Sequence, residues 1–235
     1  MVRPMTGPSR AWVLRRLAVA GIVGCLLSSC SSHPGDAAVV GSQTISESRV
    51  DDVAAALCSA QSASQQNAVP QDLSSRAARQ GALDVLIQSS LSQQYSEKFG
   101  FTPTAAQTSQ AVASQQQTLN QLPASRRSAF RSALQNYAEG QLGIAAAGAK
   151  QLAASGNDAP SQDQAVAAGL KLRNAWVSKH VTVSVDPRFG RFRGNALVTD
   201  SGSLSVPQSA SAVAGAKAQP ASSWISSLPA NQKCS

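Results

Sequence analysis

Residues 83–95 read LDVLIQSSLSQQY and carry the strongest periodic pattern in the chain. The helical pattern begins near Pro70 and continues to about Lys98, and Gly100 is a typical helix-ending residue. Four large side chains recur in it at intervals of four residues, which places them on one face of a helix: Leu83, Ile87, Leu91 and Tyr95.

Two more helices are predicted after Gly100. Thr102 followed by Pro103 is typical of an N-cap and first helical residue, and it predicts a polar helix that ends at Leu122 and Pro123. A longer helix then runs from about Ala124 to near residue 154. One face of it carries Phe130, Leu134 and Tyr137.

A last helix is predicted over about 161–179, with Val166, Leu170 and Val177 along a stripe. At Val181 the period changes to strict alternation through Val185, which predicts a strand with one buried face. Near the start, residues 38–45 read AVVGSQTI, a small hairpin that leads into a helix capped by Ser46. The sequence therefore predicts a mostly α-helical fold with a small β element.

The first 29 residues are typical of a bacterial export signal. Basic residues occur first, and residues 17–27 are eleven uncharged, mostly apolar residues, far short of the roughly 20 that span a bilayer as a helix. Leu27, two serines and Cys30 then resemble a lipobox, in which the cysteine is lipidated and becomes the first mature residue. Cys25 fits a lipobox too, but cleavage there would shorten the apolar run to about seven residues.

Removal of this signal changes the charge and the cysteine count. The whole chain has 20 basic and 12 acidic residues, a net charge of +8, and losing the four signal arginines leaves +4. No basic stripe with interleaved aromatics is present, so nucleic acid is not expected as a partner. Cys58 and Cys234 would remain, and in an oxidising compartment they are expected to form one disulfide.

Composition divides the chain into four parts: a signal peptide over 1–29, a tether over 30–37, a helical domain over 38–193 and a low-complexity tail over 194–235. The tail is rich in serine, alanine, glycine and proline, which predicts that it is mostly disordered. Its apolar island, Trp224 with Ile225 and Leu228, would be brought to the folded body by the disulfide.

Several of these features together resemble the SurA N-terminal-like lipoproteins of actinobacteria, relatives of the SurA and parvulin-type foldases of the cell envelope. The opening at 38–45 is similar to the V-N-G-x-x-I opening of those chaperones, and residues 186–190, DPRFG, are similar to their N-P-R-Y-G close. The resemblance spans 38–192 and implies that the first and last strands lie side by side, with Val39 and Thr44 near Val181–Val185.

A parvulin isomerase domain would need about 90 further residues, and there is no room for one between Ala153 and Ser161. No nucleotide-binding loop, nucleophile elbow or zinc-protease motif occurs either. The resemblance therefore implies a non-catalytic module without cofactor or metal.

We expect a lipid-anchored protein on the outer face of the cell membrane that binds unfolded or extended exported polypeptides. The candidate peptide-binding or core residues are Leu83, Ile87, Leu91, Phe130, Leu134 and Tyr137. The alternative is an adaptor that binds one folded envelope partner through a basic, aromatic segment. That segment contains Arg188, Phe189, Arg191, Phe192 and Arg193, which are otherwise expected to form a solvated turn with its phenylalanines packed under the helices.

Overall fold

The structure is a computed structural model that describes residues 34–64, 73–199, 206–217 and 219–234. The predicted signal peptide and Cys30 lie outside these residues. The described part contains a three-stranded and a two-stranded sheet, and none of its helices is long and apolar enough to cross a membrane.

The elements follow one another as five strands, eight α-helices and one 3-10 turn within the described residues. The first half contains β1 Asp36–Val40, β2 Gln43–Ser46, α1 Glu47–Ser64, α2 Ser75–Phe99, α3 Ala105–Ala113, α4 Gln116–Gln121 and α5 Ala124–Ala153. The second half contains α6 Gln162–His180, β3 Val183–Val185, β4 Arg191–Arg193, β5 Ala196–Val198, α7 Ala210–Gly215, α8 Ser222–Ser226 and the 3-10 turn Ala230–Gln232.

The three-stranded sheet has the order β2-β1-β3, and all its neighbours are antiparallel. Val39 pairs with Ser184 of β3 on one side and with Thr44 of β2 on the other. The predicted side-by-side arrangement of first and last strands is therefore confirmed, although Thr44 lies one strand away from β3. The sheet therefore joins the segment before α1 to the segment after α6, which are far apart in sequence.

Three apolar clusters hold the helices together. The largest lies between the sheet, α1 and α2 and contains Leu83, Ile87 and Leu91, each 0% exposed. The second lies among α1, α3, α4 and α5 and contains Leu119, Leu122 and Phe130. The third joins α2, α5 and α6 around Tyr95, Ile144 and Ala147.

Three helix boundaries differ from the prediction. Helix α2 begins at Ser75, after the extended N-cap residue Ser74, and not near Pro70. The N-cap of α3 is Thr104, not Thr102, because Gln107 completes a capping box with Thr104. The predicted continuous polar helix is also interrupted. The hydroxyl of Ser114 donates to the carbonyl of Ala111 at 2.6 Å. The Gln115 N–H donates to the carbonyl of Val112 instead of that of Ala111, so the regular α-helical hydrogen bond is lost at this point.

The C-terminal segment is attached to the helical body near the start of α2. Cys234 forms a disulfide with Cys58 of α1, as the cysteine count predicts. The Cys234 N–H donates to the carbonyl of Leu73 at 2.7 Å, and the Ser75 hydroxyl donates to the carbonyl of Lys233 at 3.0 Å. Part of the segment expected to be mostly disordered therefore forms short helices, since the chain is fixed at its end.

Candidate functional site

Two small-residue contacts set the spacing between α5 and α6. A Cβ atom built on Gly148 would lie 1.8 Å from the carbonyl oxygen of Ala165, and one built on Gly169 would lie 1.9 Å from that of Ile144. The two backbones therefore touch where these helices cross. Neighbouring larger side chains must point away from the crossing, and they form the walls of a surface groove.

This surface is called the α5–α6 groove below and encloses about 460 Å³. Its lining contains both apolar and polar side chains. Leu170 lies in the groove and also packs against the third apolar cluster, so the floor is continuous with the core. The lining residues are Tyr137, Gln141, Leu142, Ala145, Gln162, Asp163, Val166, Ala167 and Leu170.

The six predicted peptide-binding or core residues separate into three groups. Leu83, Ile87 and Leu91 are fully buried in the largest cluster and are core residues. Phe130 is buried in the second cluster, and Leu134 packs against it. Tyr137 differs from the others because 46% of it is exposed and it lines the α5–α6 groove.

Sequence reasoning did not assign Leu142, Val166 or Leu170 to a site. Val166 and Leu170 were visible as an apolar stripe, but the stripe alone predicts only a face packed against a neighbouring helix. The glycines on α5 and α6 were the signal that the two helices approach closely.

The basic, aromatic segment is bound to the body of the protein. Phe189 is 3% exposed and lies under the guanidinium of Arg79, 5.0 Å from the ring centre. Arg188 forms ion pairs with Glu47 and Asp186. Hydrogen bonds from Arg188 keep the pKa of the Asp186 carboxyl below its usual range.

The hairpin of β4 and β5 follows this segment and presents Arg191 and Arg193 at the surface, with Phe192 half-buried. Asp84 of α2 accepts the N–H of Leu197 at 3.2 Å, and the amide of Gln88 donates to the carbonyl of Asn195 at 2.9 Å. Both hairpin-loop residues, Gly194 and Asn195, have positive φ, as a type I′ turn requires. The hairpin is therefore held against α2.

A buried cation lies where α2 meets α6. Arg173 is 4% exposed, and its guanidinium donates to the hydroxyl of Ser92 and to the side-chain oxygen of Asn174. Burial lowers the pKa of Arg173, and the nearby charge of Asp84 acts in the opposite direction. In the part of the chain that the structure describes, no group of three metal-ligating side chains is arranged to bind an ion.

A profile of the SurA-like N-terminal domain matches residues 9–155, more than half of the 235-residue chain. The match includes β1 through α5 and ends before α6, whereas the resemblance expected from the sequence extended to residue 192. No curated protein and no solved structure is significantly similar to the chain. The helical fold, the hairpin opening and this match agree, and the chain belongs to the family of SurA-like N-terminal domains.

Proposed function

We propose that the protein is a chaperone-like module that binds unfolded or extended segments of exported polypeptides without catalysing a reaction on them. The observation that carries this proposal is the α5–α6 groove, an open and partly apolar surface on a member of the SurA-like N-terminal domain family. A groove of about 460 Å³ is within the usual range of ligand sites and would hold a few side chains.

Weak and reversible binding is what this geometry supports. Tyr137 supplies an exposed aromatic side chain, and Val166 and Leu170 supply apolar walls that are already half-buried. A client segment would gain by burying its own apolar side chains, at roughly 25 cal/mol per Å² removed from water. The polar lining residues would leave part of its backbone solvated, so release would remain fast.

Suppression of the aggregation of an unfolded client, monitored by light scattering, tests this function. The full-length protein in several-fold excess should suppress aggregation, and Tyr137→Ser should weaken the effect. Val213→Ser is a control outside the groove, because Val213 of α7 is a 48% exposed apolar residue that does not line the groove. An unchanged aggregation curve with the wild-type protein would refute the proposal.

We further propose that the protein is anchored by lipid to the outer face of the cell membrane through Cys30. The lipobox-like sequence supports this, and β1 begins at Asp36, so a short tether would hold the fold close to the membrane surface. Cys30→Ala should block maturation, and globomycin should have the same effect on the wild-type protein. Normal processing of the substituted protein would contradict lipid anchoring.

An adaptor that recognises one folded envelope partner is the second candidate function. It is favoured by the β4–β5 hairpin, which α2 holds in a fixed position and which carries Arg191 and Arg193 on its surface. Crosslinking in cells distinguishes the two functions. One stoichiometric partner lost in Arg193→Ala would support the adaptor, and many exported chains would support the chaperone.

A further inference from the structure

The outer edge of β2 presents unpaired backbone groups. Gly41 of the β1–β2 turn donates its N–H to the carbonyl of Thr182 at 2.9 Å, on the β3 side. The backbone N–H and C=O groups alternate in direction along a strand. Those of Val39, two residues before Gly41, therefore also point toward β3. Its partner Thr44 is then in a non-hydrogen-bonded pair, with its N–H and carbonyl directed away from β1. Among the described residues, neither group has a backbone hydrogen-bond partner.

A polar cavity of about 320 Å³ adjoins this edge. Ser89 is one of its lining residues and is 5% exposed, and its buried hydroxyl has no hydrogen-bond partner among the described residues. A buried hydroxyl without a hydrogen-bond partner is unfavourable, so a ligand that supplies an acceptor would relieve this cost. The lining residues are Gln43, Thr44, Ile45, Arg49, Leu86, Ser89, Ser90, Gln93 and Asn136.

The charge of the cavity favours an acidic ligand. Arg49 is exposed at its rim, and its guanidinium has no ion-pair partner among the described residues. The lining contains no carboxylate. The nearby Glu139 lies outside the lining, and one of its oxygens already accepts the Gln93 amide at 2.8 Å. A carboxylate in the cavity would therefore meet hydrogen-bond donors and one positive charge.

We propose that an extended polypeptide segment adds to the outer edge of β2 at Thr44 and places an acidic side chain in this cavity. The Thr44 N–H and carbonyl bind the backbone of the segment, as in other strand-addition complexes. Ser89 and Arg49 bind its carboxylate. This site is separate from the α5–α6 groove and does not depend on it for its geometry.

The test uses the full-length protein in a mild detergent and a fluorescent probe peptide of alternating threonine and valine with one central glutamate. Anisotropy titration at low salt should show that this peptide binds about tenfold more tightly than its glutamine counterpart. Arg49→Gln should bring that ratio close to one, and Arg49→Lys should retain part of it. Ser89→Ala should weaken glutamate-peptide binding without lowering the thermal stability of the protein.

Thr44→Pro tests the backbone contact, because it removes an N–H that β1 does not use. It should abolish binding of the glutamate peptide, while Thr44→Val should bind it normally. Tyr137→Ser should not change binding of the glutamate peptide either, because Tyr137 lies in the α5–α6 groove. The proposal for the β2 edge can therefore fail independently of the proposal for the groove. Equal affinity for the two peptides, or unchanged binding by a folded Thr44→Pro variant, would overturn the proposal. A dimer that Thr44→Pro dissociates would also overturn it, since the occupant would be a second copy.

Discussion

Gly148 of α5 and Gly169 of α6 pack backbone against backbone: a Cβ atom on Gly148 would lie only 2.6 Å from the amide nitrogen of Gly169. This contact sets the distance between the two helices that form the α5–α6 groove. Glycine normally weakens a helix by about 1 kcal/mol relative to alanine. Here that cost is offset by close packing, which no larger residue permits.

Gly148→Ala should destabilise the protein by roughly 2–3 kcal/mol, because the added methyl group overlaps backbone atoms of α6. Gly81→Ala is the control, since Gly81 is also helical but a Cβ atom added to it would have nothing within 4 Å, and it should stabilise the protein by about 0.5–1 kcal/mol. Urea denaturation measures both. Equal effects of the two substitutions would show that the close contact is absent in solution.

Reduction of the bond between Cys58 and Cys234 should lower the free energy of unfolding by up to about 5 kcal/mol, because 176 positions separate the two residues and the unfolded chain loses a large constraint. Denaturation with and without dithiothreitol measures the change. A Cys58→Ser, Cys234→Ser double variant should be insensitive to the reductant. If two titratable thiols appear in reduced protein without loss of stability, the bridge does not stabilise the fold.

Asp186→Asn should lower stability at neutral pH by about 1 kcal/mol or less, because Arg188 is well exposed and water screens their ion pair. The pKa of Asp186 is lower in the folded than in the unfolded protein. Its stabilisation is therefore complete above the unfolded pKa and is lost as the pH falls through the folded one. The wild-type and variant denaturation midpoints should therefore converge once the pH is below the folded pKa of Asp186. A difference that persists there would exclude this ionic origin.

Arg173→Met should lower stability by about 1–3 kcal/mol. It removes the desolvation cost of the buried cation but leaves the buried hydroxyl of Ser92 without its hydrogen-bond partner. Arg173→Ala should destabilise the protein further, because it also leaves a cavity. Thermal unfolding compares the two variants. Equal losses of stability in the two variants would show that packing of the Arg173 side chain contributes nothing.

Local patterns in the sequence were sufficient to predict the main helices. The four-residue spacing of Leu83, Ile87 and Leu91 identified α2, and Gly100 ends it with φ of 73°. Ser161 caps α6 through a capping box with Gln164. Such signals depend on residues three or four positions apart, and these remain neighbours in any helix.

The predictions that were wrong are of two kinds. One depends on which of two nearby residues caps a helix, and the other depends on contacts between segments that are distant in sequence. The sequence pattern predicts Thr102 as the cap of α3, but Gln107 forms a capping box with Thr104 instead. The short helices after residue 206 have few large apolar residues of their own, and they occur in a segment that Cys234 fixes to α1.

The sequence by itself determined the helical class, the hairpin opening, the pairing of Cys58 with Cys234 and the resemblance to SurA-like N-terminal domains. Only the tertiary structure decided that Leu83, Ile87 and Leu91 are core residues while Tyr137 lines an open groove. A helical period shows which side chains share a face but not what covers that face. What covers it depends on how closely other helices approach, and here glycine contacts between α5 and α6 set that distance.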